Sequence, residues 1–183
     1  MKRTIAGLAG TALVAGSMVS AAPYRASDGT ATFTYTVRFI PVRGTISGVS
    51  ASVTLDPANL AATAGTVTVP VANLKTGISL RDAHAKREDA LNAAKFPNAT
   101  FTLEKLTGGK LVEGQTLATT ATGKLTVKGT AKAVSVPVKA TLQDGKVNVS
   151  TQFKFNPFDF DVRYPGSSDS VTVEVSFVLT TTG

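Results

Sequence analysis

TATFTYTVRF, residues 30–39, alternates between two sides of an extended chain. Phe33, Tyr35, Val37 and Phe39 fall on one side, and Thr32, Thr34, Thr36 and Arg38 on the other. Successive side chains of a strand point to opposite faces, and aromatic and β-branched residues suit a half-buried pleated surface. The stretch therefore predicts a strand with one face in a core. The same period continues outward from it. GTISGVSASVTL (44–55) keeps Val49, Ala51, Val53 and Leu55 in phase and stops at Asp56-Pro57. GTVTVPV (65–71), ATFTLEKL (99–106), a Thr-rich run through GKLTVKG (123–129), AVSVPVKATL (133–142), KVNVSTQFKF (146–155) and SVTVEVSFVL (170–179) follow. Gly108-Gly109, Asp144-Gly145 and Pro165-Gly166 supply turn chemistry between them.

One segment departs from this rhythm. ISLRDAHAKREDALNAAKFP (78–97) is rich in Ala, Leu, Arg and Glu, and Leu80, His84, Leu91 and Ala94 share a helical face. It predicts one helix over about residues 80–94, with Pro97 as the stop. The fold class expected is all-β, an eight-stranded antiparallel barrel with that helix inserted, because closure leaves no free edge. A sandwich is the alternative. An eight-stranded barrel is just wide enough to be filled by side chains or to hold one small ligand. Small inward-phase residues at Ala51, Ala121, Gly123 and Ala140 fit either case.

The first 22 residues read differently. Lys2 and Arg3 precede an uncharged apolar run from Ile5 to Val19, followed by Ser20, Ala21 and Ala22. That order predicts a secretory signal peptide over 1–22 and a single domain over 23–183, exported to the periplasm or secreted. Loss of those two basic residues takes the formal charge of +7 down to +5. The remaining Lys and Arg are scattered, which indicates a mildly cationic solvated surface. Without cysteine the domain has no disulfide, thiolate metal site or Cys nucleophile and must be stable through its core alone.

FKFNPFDFDVRYPG (153–166) holds Phe153, Phe155, Phe158, Phe160 and Tyr164 among Lys154, Asp159, Asp161 and Arg163. Aromatics among basic residues can stack on single-stranded nucleic acid. The acids here would repel phosphate, so no nucleic-acid partner is expected. Asn156-Pro157 shifts the phase and predicts a bend. Beyond it, Phe158, Phe160, Val162 and Tyr164 form a second apolar side, read either as a strand corner sealing the core or as an aromatic lip over a channel. Arg81, Asp82 and His84 are the one polar constellation: a head-group contact at the barrel rim, or an internal pair fixing the helix to it. A single His, no Cys and no G-x-S-x-G give no support to catalysis, and no carboxylate or His cluster points to a metal site.

From about Thr30 to Leu179 the chain resembles the YceI-like family, secreted or periplasmic polyisoprenoid-binding proteins with a lipocalin-like barrel. VRGTISGVSASVTLDP (42–57), LKTGISLRDAHAKREDAL (74–91), KFPNATF (95–101), GKLTVKGTAKAVSVPV (123–138) and PFDFDVRYPG (157–166) resemble its elements in the right order. Thr76, Gly77, Arg81, Asp82 and His84 occupy the matching places of the T-G…R-D-x-H element. The sequence departs from the pattern in lacking first-strand histidines, in Lys128 where several members have His, and in Asp161 where Gly is common.

The resemblance implies a non-catalytic protein that sequesters or carries an apolar chain, a polyisoprenoid such as a quinone or prenyl lipid, in the barrel interior. Phe33, Tyr35, Val37 and Phe39 of the first strand would line that interior. So would Phe101, Leu103 and Val127 from the middle of the chain, and Phe153, Phe155, Phe158 and Phe160. Arg81, Asp82 and His84 would sit at the head-group rim. No cofactor is expected other than a bound isoprenoid lipid or quinone. That lipid, with transient contact to a membrane or membrane protein, is the expected partner; the oligomeric state, including a dimer, is left open. The rival reading is a dry-core structural or adhesion β-domain that works through its outer surface.

Overall fold

The computed structural model describes residues 21–182. The expected signal peptide over 1–22 lies almost entirely outside those described residues. The chain runs β1 (Ala22–Val37), β2 (Ile40–Leu55), β3 (Ala64–Pro70), β4 (Leu74–Lys75), α1 (Ser79–Ala85), β5 (Asn98–Leu106), β6 (Thr116–Val127), β7 (Thr130–Gln143), β8 (Lys146–Phe155) and β9 (Val171–Thr181). Eight long strands follow the order β1-β9-β8-β7-β6-β5-β3-β2, every pair antiparallel, and β1 pairs back onto β2 to close the barrel. β4 is a two-residue addition on β2, where Ile46 opposes Leu74.

The first strand begins earlier than the alternation at 30–39 indicates, and its register slips between Ala26 and Gly29 and again to Thr30. Such a bulge sharpens the local twist and lets one long strand serve two neighbours around a barrel. Three hairpins turn in two residues, at Arg38-Phe39, Lys128-Gly129 and Asp144-Gly145, each with both φ angles positive. That handedness matches the right-handed twist of the flanking strands.

The barrel has two unlike ends. At one, the loop 56–63 is bonded to 107–115 through Leu60 N–H to Gly109 O (3.1 Å) and Leu111 N–H to Pro57 O (2.7 Å). Leu55, Leu60, Leu106, Leu111, Val147 and Leu179 are buried together there and seal it. The other end carries the β1–β2 and β6–β7 hairpins, the connection 71–97 with α1, and the loop 156–170.

Two sequence expectations change at this second end. The helix covers only Ser79–Ala85, not 80–94. Residues 86–97 instead fold through turns, with Leu91 N–H bonded to Ala85 O and Phe96 N–H to Asn92 O, and Asn92 at φ 48°. This path buries Ala90 and brings Leu91 against the core, which a straight helix along the rim would not. Leu80, read as part of the inward face, is 67% exposed. Past Asn156 the chain does bend, but into a 3-10 turn over Pro157–Phe160 rather than a fresh extended segment. Asn156 Oδ1 accepts from Phe158 N–H (2.9 Å), the local competition by which a short amide side chain starts a turn.

Candidate functional site

Within the barrel lies a cavity of about 320 Å3 whose wall includes no charged side chain. That is the size of a small-molecule site, roughly 300–1,000 Å3. The strand pleat explains the wall: alternate residues of β9 (Val171, Val173, Val175, Phe177, Leu179) and of β3 (Val67, Val69) all face it. Ala121 and Ala140 keep the opposite wall thin. Two glycines hold aromatic rings against the strands. Phe33 opposes Gly44 across β1 and β2, and a Cβ on Gly44 would meet Phe33 Cζ at 2.1 Å, so the ring lies flat where that side chain would stand. A Cβ on Gly123 would likewise stand 2.9 Å from Phe101 Cζ, and 2.1 Å from the Thr102 carbonyl oxygen. Rings laid along the wall leave the middle of the barrel free.

The cavity's aromatic end faces the loops that carry α1. Phe33 and Tyr35 rings stack at 6.1 Å, and Phe153 and Phe155 lie 6.2 Å apart. Phe160, 2% exposed, packs edge-on to Phe155 at 5.4 Å from behind the wall, with Leu125 and Val127. Tyr35, Tyr164, Thr76, Ser167 and Ser168 bring hydroxyls to this mouth. Burial, and then the neighbouring Tyr164, push the Tyr35 phenol up from its ordinary value, while Arg81 pulls the other way. Tyr35 is thus a neutral hydrogen-bond donor at neutral pH, within electrostatic reach of a guanidinium. At the sealed end, the Thr63 hydroxyl is buried against the cavity with no hydrogen-bond partner among the described residues.

Of the residues singled out in the sequence, Phe33, Tyr35, Phe101, Leu103, Val127, Phe153 and Phe155 border the cavity. Four others do not. Phe39 is 97% exposed at the tip of the β1–β2 hairpin, because the chain turns at Arg38-Phe39 and breaks the alternation. Val37, at the last rung of β1, lies beyond the cavity wall. Phe158 points out of the 3-10 turn and is covered by Arg163, whose Cζ lies 5.4 Å from the ring centre. Phe160 supports the wall without forming it. Arg81, Asp82 and His84 sit on α1 at the mouth, outside the wall. Asp82 pairs with neither of the other two: its Oδ1 accepts from Thr76 N–H (2.7 Å) and Thr76 Oγ1 (2.6 Å). The Thr76 hydroxyl bond holds its carboxyl below the usual value. Sequence reasoning missed Leu60 and Leu111 of the plug and Leu74 beside β2, which come from connections with no periodic signal, whereas Leu91 of the expected helical face and Tyr164 of the aromatic lip do border the cavity.

The sequence profile of the YceI-like domain matches residues 24–179. The chain belongs to the YceI-like family. A UPF0312 protein of Pseudomonas fluorescens is 31% identical over 195 residues, covering 96% of each chain. A UPF0312 protein of Yersinia enterocolitica is 34% identical over 100 residues, 55% of this chain and 49% of that one. Among solved structures, a polyisoprenoid binding domain from Saccharophagus degradans, implicated in plant cell wall breakdown, superposes with a TM-score of 0.73 at 11% identity. That match covers 89% of this chain and all of the other, and establishes the shared barrel.

Two departures from the YceI-like pattern prove to be one feature. The Lys128 side chain, 12% exposed, donates to the Asp161 carbonyl oxygen at 2.8 Å and lies 3.8 Å from its carboxylate. Asp161 takes the left-handed conformation, φ 54°, that suits glycine and that Asp tolerates better than most residues. The tip of the β6–β7 hairpin is thereby tied to the loop over the cavity mouth.

Proposed function

We propose that this YceI-like protein sequesters or carries an apolar chain in its barrel, a polyisoprenoid such as a quinone or prenyl lipid, without chemistry of its own. The observation that carries the reading is the uncharged cavity wall in which Phe33, Tyr35, Phe101, Phe153 and Phe155 all take part. The dry-core alternative calls for bulky side chains meeting across the middle, and the rings on Gly44 and Gly123 lie along the wall instead. The polyisoprenoid binding domain with the same barrel supports the choice of ligand class.

The driving force is burial. Each five-carbon isoprene unit removes apolar surface worth about 4 kcal/mol, at roughly 0.8 kcal/mol per CH2. A few units therefore outweigh the several kcal/mol lost in ordering the chain. Tyr35, Tyr164 and Ser167 would hydrogen-bond a polar end left at the mouth, with Arg81, Asp82 and His84 further out on the rim. Export to the periplasm or beyond suits a carrier of membrane-derived lipid.

The test is native mass spectrometry on protein purified from the envelope without detergent, followed by solvent extraction. A discrete added mass that extracts as a prenyl chain is the expected result. A bare polypeptide mass, with no uptake of offered quinones or prenyl lipids, would return the cavity to a purely structural role.

A further inference from the structure

The four most exposed large apolar side chains among the described residues are Phe39 (97%), Leu80 (67%), Ile40 (66%) and Ile78 (50%). All four stand at the same end of the barrel, Phe39 and Ile40 on the β1–β2 hairpin and Ile78 and Leu80 at the start of α1. That end is the mouth of the cavity. Scattered exposed apolar residues need no explanation, but a group gathered at one functional opening does.

Phe39 is the decisive member. It and Arg38 are the central residues of a two-residue hairpin with φ 69° and 47°. Such turns favour Asn-Gly or Asp-Gly, because a side chain beyond Asn or Asp is strained at positive φ. A phenylalanine there meets two costs, backbone strain and a ring left in water, and at 97% exposure nothing among the described residues relieves the second. Strain of this kind persists where something outside the folded chain uses it.

The charge around these residues identifies the partner's chemistry. Arg38, Arg43, Lys75, Arg81 and Lys86 surround the two apolar tips, and none has an acidic partner within 4.0 Å among the described residues. Of the acids at the same end, Asp89 pairs with Arg87 and Asp161 with Lys128 and Arg163, and Asp82 is hydrogen-bonded by Thr76. Glu88, Asp159 and Asp169 have no ion pair among the described residues, but the bases, with Lys95, Lys132 and Lys154 beside those named, outnumber the acids. At the sealed end, Asp28, Asp56, Glu113 and Asp144 stand among Arg25, Lys105, Lys110, Lys139 and Lys146, close to balance. Apolar tips rimmed by free cations fit an anionic lipid surface, in which the tips enter the headgroup layer and the bases meet phosphates.

We infer that the mouth end of the barrel is a membrane-docking face, with Phe39, Ile40, Ile78 and Leu80 inserting into an anionic bilayer. The face needs no cargo to dock, so it stands or falls separately from the carrier reading. The test is flotation of the purified, delipidated chain with phosphatidylcholine vesicles, with and without phosphatidylglycerol. Wild-type protein is expected to float with the anionic vesicles only, and to be released as salt rises past about 0.15 M. The double variant R38N/F39G restores preferred turn residues. It is expected to melt at a higher temperature than wild type while losing about tenfold or more in vesicle binding, the loss of one buried ring and one base. Leu80→Gln should lose binding with an unchanged melting temperature. Equal binding by these folded variants, or no flotation of wild type on anionic vesicles at low salt, would overturn the inference. So would attachment to envelope membranes that disappears when their proteins are digested, which would make the partner a protein.

Discussion

Gly44→Ala is the most informative single change, because its effect on cargo and its effect on folding separate. The new Cβ would stand 2.1 Å from Phe33 Cζ and 2.7 and 2.8 Å from the two Cε atoms. Carbon atoms settle at about 3.5–4.0 Å, so the ring must retreat by ~1.5 Å. All three close atoms belong to the free end of one side chain, and the open direction is the cavity. The fold therefore loses little: the relief of glycine's backbone entropy, about 0.5–1 kcal/mol, offsets part of the repacking. The ligand loses room for one to five carbons, about 1–4 kcal/mol or from fivefold to several hundredfold in affinity. Titration calorimetry with farnesol, a three-unit isoprenoid alcohol, measures this directly, beside a thermal melt of each variant. Phe33→Ala should recover the lost space, so the double variant should bind better than Gly44→Ala alone. Wild-type affinity in a folded Gly44→Ala protein would refute the argument that Phe33, laid on Gly44, defines the space the ligand occupies.

Gly123→Ala makes the contrast: its Cβ meets the Thr102 carbonyl oxygen at 2.1 Å, and backbone cannot swing away, so a loss of about 2–3 kcal/mol or more should appear as a much lower melting temperature. Thr63→Val replaces a buried, unpartnered hydroxyl by a methyl group and should raise stability by about 1–2 kcal/mol in urea titrations, with the midpoint moving and the slope unchanged. Asp82, whose folded carboxyl titrates below its ordinary 3.8, contributes stability that is complete above that value and is lost as pH falls through the folded value. Melts of wild type and Asp82→Asn should therefore differ at pH 6 and converge in strong acid, and a constant difference would assign the effect to packing.

The barrel was legible because its strands are amphipathic with period two, and that phase together with the family resemblance pointed to Phe33, Tyr35, Phe101, Leu103, Phe153 and Phe155, all of which border the cavity. What escaped reading shares one cause: position decided by contacts far away in sequence. Arg38-Phe39 turns although neither residue favours a turn, so Phe39 was counted with the strand it ends. The helix expected over 80–94 stops at Ala85 because Ala90 and Leu91 are drawn toward the core, a demand no local propensity encodes. Phe158 and Phe160 share a phase in an extended chain but part company in the 3-10 turn that Asn156 begins. Lys128 and Asp161, each an oddity alone, make sense only once the fold brings them together across 33 positions of sequence.

The leucine plug has a consequence for traffic. With loops 56–63 and 107–115 bonded over one end, the barrel is a flask rather than a pipe. A chain drawn into a flask goes in by one tip and comes out by the other, so the first carbon to enter is the last to leave. On the proposed carrier reading, the depth of the vessel would sort long prenyl tails from short ones, since surplus length has nowhere to go but back through the neck. Loading and unloading become the same event run in opposite directions.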